Sequence, residues 1–173
     1  QQAKKILSKA KIRIQDEEIF IKDSLNRVLA KNIISPSNYP LVDNAAFDGY
    51  AINSNDTRNI DKKNSKHFKI IGSIAAGSKP FNKKIKKFEA IEIMTGGIIS
   101  KPFNTIVPIE KIFFYPNEKK PQSIIINQKV SKRDHVRFKG SDYKKGQSVM
   151  KKGSIIQPSH ILALKTLGVK KIK

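Results

Sequence analysis

Apolar positions along this chain change their spacing twice. Ile6, Leu7 and Ala10 fall one helical turn apart among lysines and predict a short opening helix. An extended piece follows around Glu18-Ile19-Phe20-Ile21. Leu25, Val28 and Leu29 then stand at i, i+3 and i+4, behind Asp23 or Ser24 as a cap, and predict a second helix. Ser35-Pro36 and Tyr39-Pro40 end it, because a residue before proline is pushed out of the helical region. From about Pro40 to Val136 the period becomes two. Segments 68–71, 90–94, 105–107, 111–115 and 123–126 predict short strands, separated by Gly, Asn, Pro and Lys clusters. Beyond Gly146, Val149-Met150 and Ile155-Ile156 flank a Lys-Lys-Gly turn. Ser159 is then placed to cap a last helix through Ile161, Leu164 and Leu167, with Gly168 as its C′ residue and a strand at 169–173. Helices at both ends around a β-rich middle predict an α+β protein. Residues 1–38 and 134–173 form one helical/β domain, and 39–133 an inserted β-rich domain of barrel or sandwich type.

Charge complicates this picture without redirecting it. The 173 residues carry 35 Lys+Arg against 14 Asp+Glu, a net +21 that suggests a polyanion partner. Only Arg13, Arg27, Arg58, Arg133 and Arg137 are arginines, and Arg is the residue suited to bidentate phosphate and guanine contacts. The lysines are spread along the chain, and Lys, Ile and Asn all have AT-rich codons. Codon bias accounts for the excess, so a nucleic-acid partner is not expected. There is no Cys, which removes disulfides, thiolate nucleophiles and Cys-ligated metals. The longest apolar runs are a few residues, far short of the roughly 20 of a membrane span, and no signal peptide is expected. A soluble cytoplasmic protein without a membrane partner is the expectation.

The common phosphate-binding glycine motifs are absent, and His67, His135 and His160 lack the spacing of a helical metal site. Two segments remain. In Asp43-Asn44-Ala45-Ala46-Phe47-Asp48-Gly49-Tyr50-Ala51, Asp48-Gly49 reads as a hairpin turn supported by Asx hydrogen bonds from Asp43 and Asn44. It also reads as paired carboxylates on a rigid loop, able to hold Mg²⁺ or orient water. In Ile93-Met94-Thr95-Gly96-Gly97, a hydroxyl and two glycines end a strand. That is either a plain turn or a place where backbone N–H groups approach an anion.

Taken in order, the segments carry more. Residues 40–51 resemble the P-x-F-D-N-S-A-M-D-G-Y-A signature of the MoeA/gephyrin E-domain family, the molybdopterin molybdenumtransferases. Gly72-Ser-Ile-Ala-Ala-Gly77 with Pro80-Phe81 resembles its A-G-x-P-F stretch, and Ile93–Gly97 its I-M-T-G-A. Val107-Pro108-Ile109-Glu110 is similar to V-V-x-x-E, and residues 136–142 to R-x-x-G-E-D. The resemblance implies an enzyme that inserts molybdate into adenylylated molybdopterin with release of AMP, using Mg²⁺. It implies an elongated helical/β region that dimerises, carrying the inserted domain. It also implies a C-terminal nucleotide-fold domain, beyond Lys173, that completes an intersubunit site, so these residues alone are expected to be inactive. By motif position, Asp48 would be the acidic residue facing that site and the Mg²⁺ ligand. Thr95 would be its hydroxyl neighbour, able to hydrogen-bond an oxyanion, and Asp142 a second carboxylate at the rim. Asn44, Gly96 and Arg137 would line the substrate side: Asn44 chiefly fixing the loop, Gly96 leaving room for substrate, and Arg137 either contacting a phosphate or serving a structural role.

Departures are visible: Ala45 stands for the family Ser, Phe47 for Met, and Ser141 for Glu, and residues 97–100 lack the usual prolines. Two rival readings stay open. One is a single-stranded nucleic-acid-binding β-barrel using Phe113, Phe114 and Tyr115, of which the first and third share a face. The other is a structural dimerisation fragment in which Asp48 and Thr95 only form turns.

Overall fold

A computed structural model of the chain describes residues 2–9 and 15–173. In chain order the elements are helix α1 (Gln2–Lys9), strands β1 (Ile19–Phe20), β2 (Ile33–Ile34), β3 (Asn44–Ala45), β4 (Gly49–Ile52), β5 (Lys66–Ile74) and β6 (Glu89–Ile93). Strands β7 (Thr105–Pro108), β8 (Phe113–Tyr115), β9 (Ser123–Ile126), β10 (Val136–Arg137) and β11 (Ser148–Met150), helix α2 (Pro158–Thr166) and strand β12 (Lys171–Ile172) follow. The protein is mostly β with few helices. It divides into two compact units, one of residues up to Ser37 with Lys145–Lys173, the other of Asn38–Lys144. Residues 134–144, grouped with the chain ends on sequence, therefore lie in the central unit, where β10 pairs with β3.

In the terminal unit β1 pairs antiparallel with β12 and β2 with β11, over a core of Ile21, Leu29, Met150, Ile156, Leu164 and Ile172. The opening helix is present at α1, while Ala10 falls outside the described residues. The second predicted helix is not formed. A single 3₁₀ turn at Ile21–Asp23 replaces it, and Asn26 enters the left-handed region with φ 63°. Asn26 N–H then donates to Ile156 O at 2.8 Å and Leu29 N–H to Ser154 O at 2.9 Å. An i, i+3, i+4 pattern is also compatible with a chain that pairs irregularly across a core, and here long-range bonds outcompete the local ones. Gln157, not Ser159, caps α2, through a reciprocal box with His160, and Gly168 follows the helix at φ 75° as predicted.

The central unit holds a six-stranded sheet in the order β7-β4-β6-β5-β9-β8, antiparallel throughout except for the parallel pair β5–β6. Alternation along β4 explains its central place. Tyr50 and Ile52 enter one core with Phe68, Ile124 and Ile126, while Ala51 enters another with Ile91, Ile93, Phe103 and Ile106. With both faces covered, each fully buried Ile contributes roughly 1.5–3 kcal/mol. The sheet is open, not a closed barrel: among the described residues β7 and β8 do not pair with each other. The turn at residues 131–135 caps the β7 edge instead, with Arg133 N–H donating to Asn104 O and Ile106 N–H to Asp134 O, at 2.8 and 3.1 Å. Strand β8 begins later than predicted because Ile109–Lys111 make a 3₁₀ turn first.

Candidate functional site

Strand β4 runs between β6 and β7, antiparallel to both, so its first residue lies where those two strands end. Asp48 immediately precedes it. Its backbone carbonyl accepts from Ile109 N–H at 3.2 Å, just past β7. Its carboxylate Oδ1 accepts from the N–H and the Oγ1–H of Thr95, just past β6, at 2.6 and 2.7 Å. Asp48 and Thr95 are both exposed. The Thr95 hydroxyl bond first, then the Thr95 N–H bond, holds the Asp48 carboxyl below the usual carboxylate range. Close packing demands glycine next: a Cβ on Gly49 would lie 2.2 Å from Val107 O and 2.9 Å from Pro108 Cα. No hairpin forms at Asp48-Gly49. Strand β3 pairs with β10 rather than with β4, and Asp43 Oδ1 accepts from Lys139 N–H at 2.8 Å instead of supporting a local turn.

The Thr95-Gly96-Gly97 segment is not an anion nest. Met94 N–H donates to Ile74 O, Thr95 N–H to Asp48, Gly96 N–H to Ala45 O and Gly97 N–H to Met94 O. Every amide of the turn is occupied, and the one proton of the Thr95 hydroxyl is spent on Asp48. The role of Thr95 as donor to an oxyanion is corrected accordingly: it presents lone pairs. Among the described residues Asp48 Oδ2 takes no hydrogen bond, so this corner offers solvent only acceptors. Gly96 sits at φ 84°, exposed, and an added Cβ would meet only Ala76 Cβ at 3.4 Å, which leaves space beside Thr95.

Asn44 and Ala45 join this corner to a second cluster. On one side Ala45 N–H donates to Gly97 O, and Gly96 N–H to Ala45 O, both at 2.9 Å. On the other, Asn44 pairs with Arg137 and Ala45 with Val136. The three segments form a small ladder whose outer members lie about 10 Å apart, two strand spacings. Asn44 fixes this loop through its backbone. Its side-chain Nδ2 donates to Val42 O at 3.4 Å, while its buried Oδ1 has no partner among the described residues.

Arg137 is paired with Asp142, whose Oδ2 accepts from Nη2 and whose Oδ1 accepts from Ser141 Oγ–H at 3.0 Å. The Arg137 bond, chiefly, keeps the Asp142 carboxyl low and the guanidinium charged. Both Asp142 oxygens are used, so this residue holds Arg137 in place. The Tyr39 ring lies under the guanidinium at 5.4 Å, a residue not singled out on sequence. Backbone bonds between residues 39–40 and 140–143, the Tyr39–Tyr143 bridge among them, place it there, which no local pattern announces. Phe47, also unassigned, stacks edge-on against His135 with 5.0 Å between ring centres.

The remaining candidates are dispersed. His67 Nδ1 meets Ser123 Oγ at 2.9 Å and His160 Nδ1 accepts from Gln157 N–H at 3.1 Å. Among the described residues no three His, Asp or Glu side chains cluster as a complete metal cage. No helix there is long and apolar enough to cross a membrane. Phe113 and Tyr115 are exposed on the β8 edge, and Phe114 packs on the core.

An open β-sheet unit interrupting a unit built from both chain ends, with an Asp-Thr corner at the end of β4, defines a class of two-unit, mostly β proteins. The family model described as MoeA N-terminal region (domain I and II) matches residues 1–168, and the chain belongs to this family. It is 32% identical over 155 residues, 90% of its length, to the molybdopterin molybdenumtransferase of Staphylococcus aureus strain Mu50, covering 36% of that protein. The Haemophilus influenzae molybdopterin molybdenumtransferase is 30% identical over 169 residues, 98% of this chain and 39% of that one. The crystal structure of the molybdopterin biosynthesis MoeA protein from Pyrococcus horikoshii OT3 superposes with a TM-score of 0.83 at 31% identity, over 92% of this chain and 41% of that one. The chain thus spans well under half the length of these relatives.

Proposed function

We propose that this chain works in molybdenum cofactor biosynthesis, as the part of a molybdotransferase that supplies half of the site where molybdate enters adenylylated molybdopterin and AMP leaves. The observation that carries the proposal is the Asp48–Thr95 corner: an exposed carboxylate anchored through one oxygen, with its other oxygen and a threonine oxygen open to solvent. Hard oxygen acceptors of this kind suit Mg²⁺, which takes one or two carboxylates and fills its remaining positions with water and substrate oxygens. Asp48 would hold the ion, with Thr95 orienting the carboxylate. When bound, Mg²⁺ neutralises charge that develops on oxyanions. Asp48 supplies one carboxylate only, so the other ligands come from substrate, water and the missing half.

Anionic groups must be held elsewhere, because the Thr95–Gly97 amides are occupied. Arg137, charged and positioned by Asp142, Ser141 and Tyr39 on the far side of β3, is the group suited to a substrate phosphate. A nucleotide-fold domain of a dimer partner supplies the rest, in keeping with the match to less than half of each relative. The test is AMP release. These 173 residues, given adenylylated molybdopterin, molybdate and Mg²⁺, release no AMP, and release appears once the chain is joined to the C-terminal portion of a relative. Turnover by the chain alone would contradict the half-site.

A further inference from the structure

A cavity of about 320 Å³ opens in the central unit at the end of the β3 ladder opposite Asp48, where residues 43, 99 and 138 continue the three ladder segments. That volume is at the lower end of the range for ligand sites. Its inner wall is apolar, with buried Phe103 and half-buried Val136 and Phe138. Its rim is cationic: Lys101, Lys132 and Arg133 line the opening, are exposed, and form no ion pair among the described residues. One carboxylate, Asp43, also lines the cavity and accepts from the Lys139 N–H at 2.8 Å, so the lining carries three positive charges against one negative, a net of +2.

Arg133 is held in a particular attitude. Its guanidinium carbon lies 4.1 Å from the centre of the Phe138 ring, so its face is covered while its N–H edge stays available. Its backbone adopts φ 73°, and His135 in the same turn adopts φ 56°, a region that residues with side chains rarely occupy. Cross-strand bonds enforce the conformation. Arg133 N–H donates to Asn104 O at 2.8 Å and Ala46 N–H to His135 O at 3.0 Å, and within the turn Ser131 N–H donates to Asp134 Oδ2 at 3.1 Å. Strain retained in a turn that presents an unpaired arginine over a cavity is the usual mark of a site.

We infer that this cavity binds a small aromatic anion, its ring against Val136 and Phe138 and its phosphate or similar oxyanion between Lys101, Lys132 and Arg133. The site is separate from the Asp48 corner and does not rest on the molybdotransferase reading. The net positive lining selects the charge, and the apolar wall selects the ring.

Phenyl phosphate, inorganic phosphate and benzyl alcohol are the probes, followed by amide chemical shifts in the ¹⁵N-labelled chain. Phenyl phosphate is expected to bind saturably, moving the amides of residues 99–104 and 131–138. Inorganic phosphate and benzyl alcohol are each expected to bind at least tenfold more weakly. The double variant Lys132→Ala/Arg133→Ala should weaken phenyl phosphate at least tenfold. Lys101→Ala/Lys132→Ala, which alters only exposed and unpaired side chains, should weaken it severalfold without disturbing the fold. The control Lys83→Ala/Lys84→Ala, on another loop, should change nothing. Equal affinity for phosphate and phenyl phosphate, shifts spread over lysines throughout the chain, or undiminished binding by the Lys101/Lys132 variant would overturn the assignment.

Discussion

Asp48 and Thr95 act as one unit because the threonine has a single hydroxyl proton and the geometry commits it to the carboxylate. Thr95→Val removes the larger of the two hydrogen bonds that depress the Asp48 carboxyl and leaves the N–H bond in place. Its titration, followed by side-chain carboxyl NMR, should therefore move up part of the way toward the ordinary carboxylate value. A group whose pKa is depressed by folding adds stability above its unfolded value and loses it as pH falls through the folded one. Wild type and Thr95→Val should accordingly differ in stability at neutral pH and converge in acid. An unmoved Asp48 titration would show that the hydroxyl bond does not form. Sequence alone marked both residues and the space beside Gly96, but it read Gly49 as a hairpin residue, whereas close approach to Val107 O is what requires glycine there. It read the Thr95 hydroxyl as a donor to an oxyanion, because the commitment of its proton to Asp48 depends on the two segments meeting at the start of β4. Likewise Arg137 and Asp142 stand five residues apart, and only the turn through Gly140, at φ 72°, brings them into a pair.

Among the elements, legibility follows the locality of the bonds. Strands β5 to β9 and α2 were visible because alternation and a helical stripe are written in consecutive residues. Their order was not: β5 and β6 are parallel neighbours, and nothing in either segment records that pairing. The helix predicted from Asp23 or Ser24 up to the Ser35-Pro36 stop failed where Asn26 turned left-handed to reach Ile156. Asn26→Gly discriminates between the two local structures. Glycine is at ease at φ 63°, so urea unfolding should show unchanged or slightly higher stability. A helical segment would instead lose about 1 kcal/mol from an interior glycine. The domain expected to be of barrel or sandwich type is a curled half-barrel sheet that does not close, for a related reason. Strand count and spacing are local, but closure depends on whether β7 and β8 meet, and the 131–135 turn occupies the β7 edge.

At the scale of the whole molecule, the net charge of +21 singles out no one surface. Two places group basic side chains by geometry: Arg137, held by Asp142 and Tyr39, and the cavity lined by Lys101, Lys132 and Arg133. The Asp48 corner is the opposite, a small acceptor-only spot in a basic protein, and on the proposed function it would take a cation while those groups would take anions. The measurement that bears on this most directly is molybdate-dependent AMP release by the intact enzyme carrying Asp48→Asn. Asparagine keeps the size and can still accept from Thr95, but it removes the charge that a divalent cation requires. The account predicts a folded protein with a melting temperature at or slightly below that of wild type, since the charge-assisted Thr95 bonds are weakened, and AMP release reduced by at least a hundredfold, about 3 kcal/mol in the barrier. Wild-type turnover by the folded variant would contradict it and leave the corner a turn.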